Sequence, residues 1–179
     1  MTLQFNVSQL LKSEVGDTRA YDFRGDEPIH LGDEGTARDV EGHVKFTFTN
    51  FGVLADVRAR AVLELTCARC LEEFDWPADV HFEEEYQPSV DIATGLPSTA
   101  PKNEDAFSIP QNHTIDLAEA IRQNLLLTIE LIPVCRADCR GLCPECGVNR
   151  NVEDCRCAPD DTASPFVVLE RLLTESTVE

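Results

Sequence analysis

Basic side chains are scarce in this sequence. Fifteen lysines and arginines face 33 aspartates and glutamates, which leaves a net charge of -18 and an isoelectric point near 4.4. A field of that sign repels phosphate backbones and argues against nucleic-acid binding by the surface at large. It attracts basic proteins, basic tails and polyamines. No stretch reaches the roughly 18 consecutive apolar residues of a membrane span. The start, Met1 to Val7, has no basic region and no long apolar run, so no targeting segment is read there. The expected location is the reducing cytoplasm, away from membranes. The signatures G-x-x-x-x-G-K-S/T, G-x-S-x-G, H-E-x-x-H and G-x-G-x-x-G are all absent. His30, His43, His81 and His113 are scattered and read as surface or strand histidines. An enzyme therefore has no residue support.

What is present is cysteine, concentrated in one place. Six of the eight cysteines lie between Cys135 and Cys157, and the other two form the C-x-x-C of Cys67 and Cys70. In a reducing compartment, thiols at this density are metal ligands before they are disulfides. Cys143-Pro144-Glu145-Cys146-Gly147 has the spacing of a zinc knuckle. Such a turn points two sulfurs at one ion, and the following glycine lets it close with backbone N–H groups aimed at the thiolates. Cys155 and Cys157 follow after eight intervening residues and are expected to complete a tetrahedron for Zn2+. Cys135 and Cys139 are the alternative second pair, with a spacing that fits one helical turn. The count also allows a second zinc on Cys67, Cys70, Cys135 and Cys139, if the end of the sheet meets the knuckle. The competing reading is that Cys67 and Cys70 shape a reduced turn or an occasional redox pair. They lie between two strand patterns rather than before a helix, unlike a thioredoxin motif.

Four arginines, Arg136, Arg140, Arg150 and Arg156, surround the cluster. They offset the charge of a four-thiolate zinc, or they are the RNA or partner contacts of an otherwise acidic protein. Asp138, Glu145, Glu153 and Asp154 balance them.

At 179 residues and 42% hydrophobic content, the chain can bury one sizeable core with a small appended module. Leu3, Phe5 and Val7 suggest a first strand, with Ser8 capping a short turn that carries Leu10 and Leu11. Glycines punctuate residues 14–42, leaving short strands at Arg19–Phe23 and Ile29–Leu31. His43–Thr49 alternates, Asn50-Phe51-Gly52 turns, and Val53–Cys67 alternates again with Ala55, Val57, Leu63 and Leu65 on one face. This is an antiparallel hairpin. Glu73–Tyr86 is a further strand with an acidic outer face, and Pro77 marks it as bulged or as an edge. That face deters edge pairing or docks a basic partner. Residues 87–113 read as a flexible loop tacked down by Ile92, Leu96, Phe107 and Ile109. Thr114 is expected to cap a helix through Glu130, with Ile115, Ala118, Ile121, Leu125 and Ile129 as its stripe. Ser164-Pro165 opens a short terminal helix. The fold class is α+β: an antiparallel sheet or partly closed barrel, one amphipathic helix, a cysteine-rich zinc knuckle and the terminal helix. Residues 1–133 form the expected core domain, and 134–179 a knuckle module packed on it.

The order of these features resembles a known family. Leu65-Thr66-Cys67-Ala68-Arg69-Cys70-Leu71 leads into an acidic, aromatic strand with Phe82 to Tyr86. The helix ending at Leu131-Ile132-Pro133 leads into Gly141-Leu142-Cys143-Pro144-Glu145-Cys146-Gly147. This resembles the YceD family, named for accumulation of large-subunit ribosomal RNA, over about residues 1–175. The resemblance implies a non-enzymatic factor in ribosome biogenesis, with a ribosomal protein or a large-subunit precursor as its partner. A second reading is a zinc- or thiol-responsive regulatory adaptor for a basic protein. The acidic composition favours a basic protein over bare RNA.

Overall fold

The computed structural model describes residues 3–91, 94–97 and 106–157. Its centre is an open six-stranded sheet built on three long strands. These are β4 (Thr36–Phe48), β5 (Val53–Thr66) and β6 (Glu73–Pro88), flanked by β2 (Thr18–Arg24) and by β7 (Phe107–Ile109), in the order β2-β4-β5-β6-β7. The short β3 (Ile29–His30) pairs with the start of β4. All pairings are antiparallel except β6 with β7, which run parallel. A separate two-stranded ribbon joins β1 (Gln4–Asn6) to β8 (Thr114–Asp116). One helix, α1 (Ala118–Thr128), lies against β6. The architecture is α+β, and the sheet does not close into a barrel. Among the described residues no helix is long and apolar enough to cross a membrane.

The sheet forms where the alternation demands it. Val53, Ala55, Val57, Leu63 and Leu65 of β5 are buried on one face, while Arg58, Arg60, Glu64 and Thr66 are exposed on the other. Val44 and Phe46 from β4 and Ala78, Val80 and Phe82 from β6 share the buried face. Ile121 and Leu125 of α1 and Leu10 and Leu11 of a 3-10 turn close over it. Phe5 brings the β1–β8 ribbon onto this core, with ring centroids 5.4 Å from Tyr21 and 5.5 Å from Phe46.

Several expectations need correction. Strand β4 begins at Thr36 and runs straight through Gly42, with a register shift between Arg38 and Glu41. Gly42 is therefore not a break. It faces Phe23 and Ala59 across the sheet, and a Cβ there would strike the Arg58 carbonyl and the Phe23 ring. Ser8 does not cap the Leu10–Lys12 turn, because its N–H and hydroxyl both donate to the Asn6 side chain. The helix starts later than Thr114. Ile115 is buried opposite Phe5 in β8, and the Asp116 carboxylate accepts the Ala118 N–H at 2.9 Å. Ile129 is extended and lies beyond the helix end.

Residues 87–113 are not simply a loop. They contain β7, where Ile109 is fully buried and Phe107 stacks on Tyr86 at 5.2 Å. Leu96 is exposed, and Ile92 lies outside the described residues. Strand β6 keeps an unbroken register with β5 through Pro77, so there is no bulge. Its far side carries β7 only from Tyr86 to Pro88, which leaves Pro77 on an open edge. The terminal helix expected after Ser164 also lies outside the described residues.

Candidate metal centre

Strand β5 ends in a tight turn made by the first C-x-x-C. The Cys67 N–H donates to the Glu72 carbonyl and the Leu71 N–H to the Cys67 carbonyl, both at 2.9 Å. Leu71 closes this turn at φ 60°, a conformation costly for a branched apolar residue. The chain returns from α1 directly onto the same turn, where the Pro133 carbonyl accepts the Ala68 N–H at 2.8 Å. That contact delivers Cys135 and Cys139. Cys67 Sγ lies 3.9 Å from Cys139 Sγ, and Cys70 Sγ lies 3.8 Å from Cys135 Sγ. All four sulfurs lie within 4.8 Å of one another. Residues 135–139 form bends and a turn rather than the helical turn that their spacing would also fit.

The second group is made by the knuckle itself. The Cys143 N–H donates to the Val148 carbonyl and the Gly147 N–H to the Cys143 carbonyl, with Gly147 at φ 72°. Cys155 and Cys157 fold back onto this turn, and the sulfurs of Cys143, Cys146, Cys155 and Cys157 again lie within 4.8 Å of one another. The structure thus brings Cys135 and Cys139 to Cys67 and Cys70, not to the knuckle pair.

The donor sets suit a tetrahedral ion. Four sulfurs at the usual Zn–S distance stand about 3.8 Å apart, and the two close pairs match that spacing. A disulfide needs sulfurs at about 2.0 Å, and all eight cysteines are free. The thiols of each set also ionise unequally. Burial pushes the Cys67 thiol up, but backbone N–H groups of Cys135, Cys70 and Arg69 outweigh it and bring it down to about 6. In the second set, the backbone N–H groups of Cys146 and Glu145 bring Cys143 down to about 6. Burial, together with the neighbouring sulfurs, pushes Cys135 up to about 12. The Cys146 sulfur, followed by burial, pushes Cys157 up to about 12. Burial also pushes the Cys139 thiol up, but the Asn151 amide and the Gly141 N–H outweigh it and bring it down. Thiolates this close together repel one another. A cation would relieve that repulsion.

Asn151, on the loop between the two halves of the knuckle, reaches the first group and escaped the sequence reading. Its Nδ2 donates to Cys139 Sγ at 3.3 Å, while its Oδ1 accepts the Arg140 N–H at 2.9 Å and Arg136 Nη2 at 2.7 Å. Arg69 donates to the Cys139 carbonyl at 3.1 Å. Neither residue carries a metal-ligand signal. The only local hint is the Asn149-x-Asn151 pair, in which the Asn149 side chain accepts from Asn151. Of the four flanking arginines, Arg136 lies 3.5 Å from Asp138 and Arg140 lies 2.9 Å from Asp154. Arg150 and Arg156 form no ion pair among the described residues. His43 and His81 lie on the outer sheet face, 2.8 Å from Asp22 and 2.9 Å from Asp56, far from the cysteines in the fold.

The chain resembles two mycobacterial proteins described as uncharacterized, one from Mycobacterium bovis and one from Mycobacterium tuberculosis. Each is 34% identical over 116 residues, covering 65% of this chain and 53% of the relative. The chain spans about half the length of the curated relatives it matches. No solved structure matches it. The family of the large ribosomal RNA subunit accumulation protein YceD matches residues 55–173, a span that holds all eight cysteines. The chain belongs to the YceD family.

Proposed function

We propose that this protein supports accumulation of large-subunit ribosomal RNA as a non-enzymatic, zinc-stabilised binding module of the cytoplasm. The observation that carries the zinc reading is the pair of four-thiol sets at tetrahedral spacing. Zinc on Cys143, Cys146, Cys155 and Cys157 would hold the knuckle closed. A second zinc on Cys67, Cys70, Cys135 and Cys139 would seat it on the end of the sheet. With four-thiolate coordination complete, each ion is structural, without an open position for substrate. The rRNA reading rests on family membership.

The partner is a basic ribosomal protein or a large-subunit precursor carrying one. Residues 134–157 contain four arginines and four acids, so the full charge of -18 belongs to the rest of the chain. That distribution supports docking of a basic protein on the acidic body. Arg150 and Arg156, which form no ion pair among the described residues, are the knuckle's cations for RNA. Depletion of the protein is expected to lower large-subunit rRNA and the large-subunit peak in a gradient. The tagged protein is expected to sediment with large-subunit precursors, and an unchanged subunit profile after depletion would refute this function.

A second reading, a zinc- or thiol-responsive adaptor, is favoured by the solvent exposure of Cys146 and Cys157. Mild oxidation that leaves partner binding unchanged would remove it.

A further inference from the structure

The two four-thiol sites differ in how they are held. In the first, Cys67, Cys70 and Cys139 are at most 5% exposed, and they form a small core of their own with Phe74, Val134 and Cys135. Its ligands are fixed from several sides: by the β5 end, by the Ala68–Pro133 backbone bond, by the Cys135 N–H on Cys67 Sγ, and by Asn151 and Arg69 on Cys139. Release of Cys67 or Cys139 there would break these contacts.

The knuckle site is anchored on one half only. Cys143 is buried and its turn is tied by two backbone hydrogen bonds. Among the described residues the Cys155–Cys157 arm has no such ties. Among the described residues its last backbone bond is made by Glu153, and its remaining tether is the exposed pair of Arg140 with Asp154. A hollow of about 430 Å³ opens onto Cys146, Cys155 and Cys157, three of the four thiols. An incoming ligand can therefore reach the ion before any protein ligand departs, and four-coordinate zinc can expand to five.

We infer that the two sites have divided roles. The site of Cys67, Cys70, Cys135 and Cys139 retains its zinc. The knuckle site exchanges zinc with thiolate or chelating donors through the Cys155–Cys157 arm. This rests on the zinc reading above. In the exchange, donor atoms entering through the hollow would bind the ion as its bonds to Cys157, Cys155, Cys146 and Cys143 break in turn. Each thiolate released would stay anionic or take a proton from the buffer acid. No electrons are transferred. The zinc level, or a competing thiol, then sets whether the knuckle is closed, while the sheet-end site stays intact.

The test uses the full chain loaded with zinc and mixed with a chromogenic chelator, 4-(2-pyridylazo)resorcinol. Two phases of equal amplitude are expected, with the slower one delayed by roughly 10–100-fold. Cys157→Ser, at an exposed position, should abolish the fast phase and leave one slow ion, with the far-UV circular dichroism unchanged. Asn151→Ala, which removes a contact to Cys139 without removing a ligand, should accelerate the slow phase. A single phase releasing both ions would overturn the division of roles, as would a Cys157→Ser protein that still shows both phases. Absence of zinc from the purified protein, measured by native mass spectrometry before mixing, would instead sink the zinc reading itself.

Discussion

Leu71 is the residue whose backbone fits its side chain least well. It is 63% exposed and sits at φ 60°, where glycine or a short polar residue such as asparagine rests more easily. Leu71→Asn is expected to raise the stability of the zinc-loaded protein by roughly 1 kcal/mol, read from urea unfolding. A loss would mean that the isobutyl group packs where it appears bare. Gly42 is the opposite case. Its missing side chain lets Phe23 lie over the sheet, so Gly42→Ala is expected to cost roughly 1–3 kcal/mol by overpacking. The same unfolding curves would report it.

At the scale of elements, helix α1 depends on its first turn. Asp116 accepts the Ala118 N–H, and Glu119 holds Arg122 at 2.6 Å and Gln123 at 2.9 Å. Hydrogen bonds from Arg122 and Gln123 hold the Glu119 carboxyl down to about 2, from an ordinary 4.5. Its contribution is therefore present above pH 4.5 and fades as the pH falls toward 2. Because the pair is half exposed, it amounts to a few tenths of a kcal/mol. Glu119→Gln should flatten that part of the acid limb and change little at neutral pH, as followed by thermal unfolding across the pH range.

The long strands were legible in the sequence because their alternation extends over many residues, as in Val53–Leu65. The short pieces were not. Ile115 fits a helical stripe and a strand equally well, and only its pairing with Phe5, far away in sequence, decides. The same holds for Phe107–Ile109, whose partner is the end of β6. The cysteine groups were legible by count and spacing, since thiols are few and have few uses. Asn151 was hidden because an amide serves a sulfur only after folding has placed it there.

Over the whole molecule, the main core and the thiol core are separate groups of buried residues. Removal of the proposed zinc by a strong chelator is therefore expected to leave the sheet's circular dichroism in place. Amides at Ala68, Cys135 and Leu142 should lose hydrogen-exchange protection while those of Val44 and Val57 keep theirs. Complete unfolding on chelation would show that the sheet depends on the ion. The acidity of β6 is also less bare than its sequence suggests, since Arg38 takes Asp75 and Arg60 takes Asp79. Charge reversal at Glu83 should weaken a basic partner more than reversal at Asp79, measured by salt-dependent binding.

The first thiol set joins residues 72 and 65 positions apart along the chain. Synthesis is vectorial, so Cys67 and Cys70 emerge several seconds before Cys139 at roughly 5–20 residues per second. During that interval the nascent chain offers an ion only half of a coordination sphere. Firm capture there would thus mark a polypeptide translated past Cys139, and products truncated before it would be left without the ion.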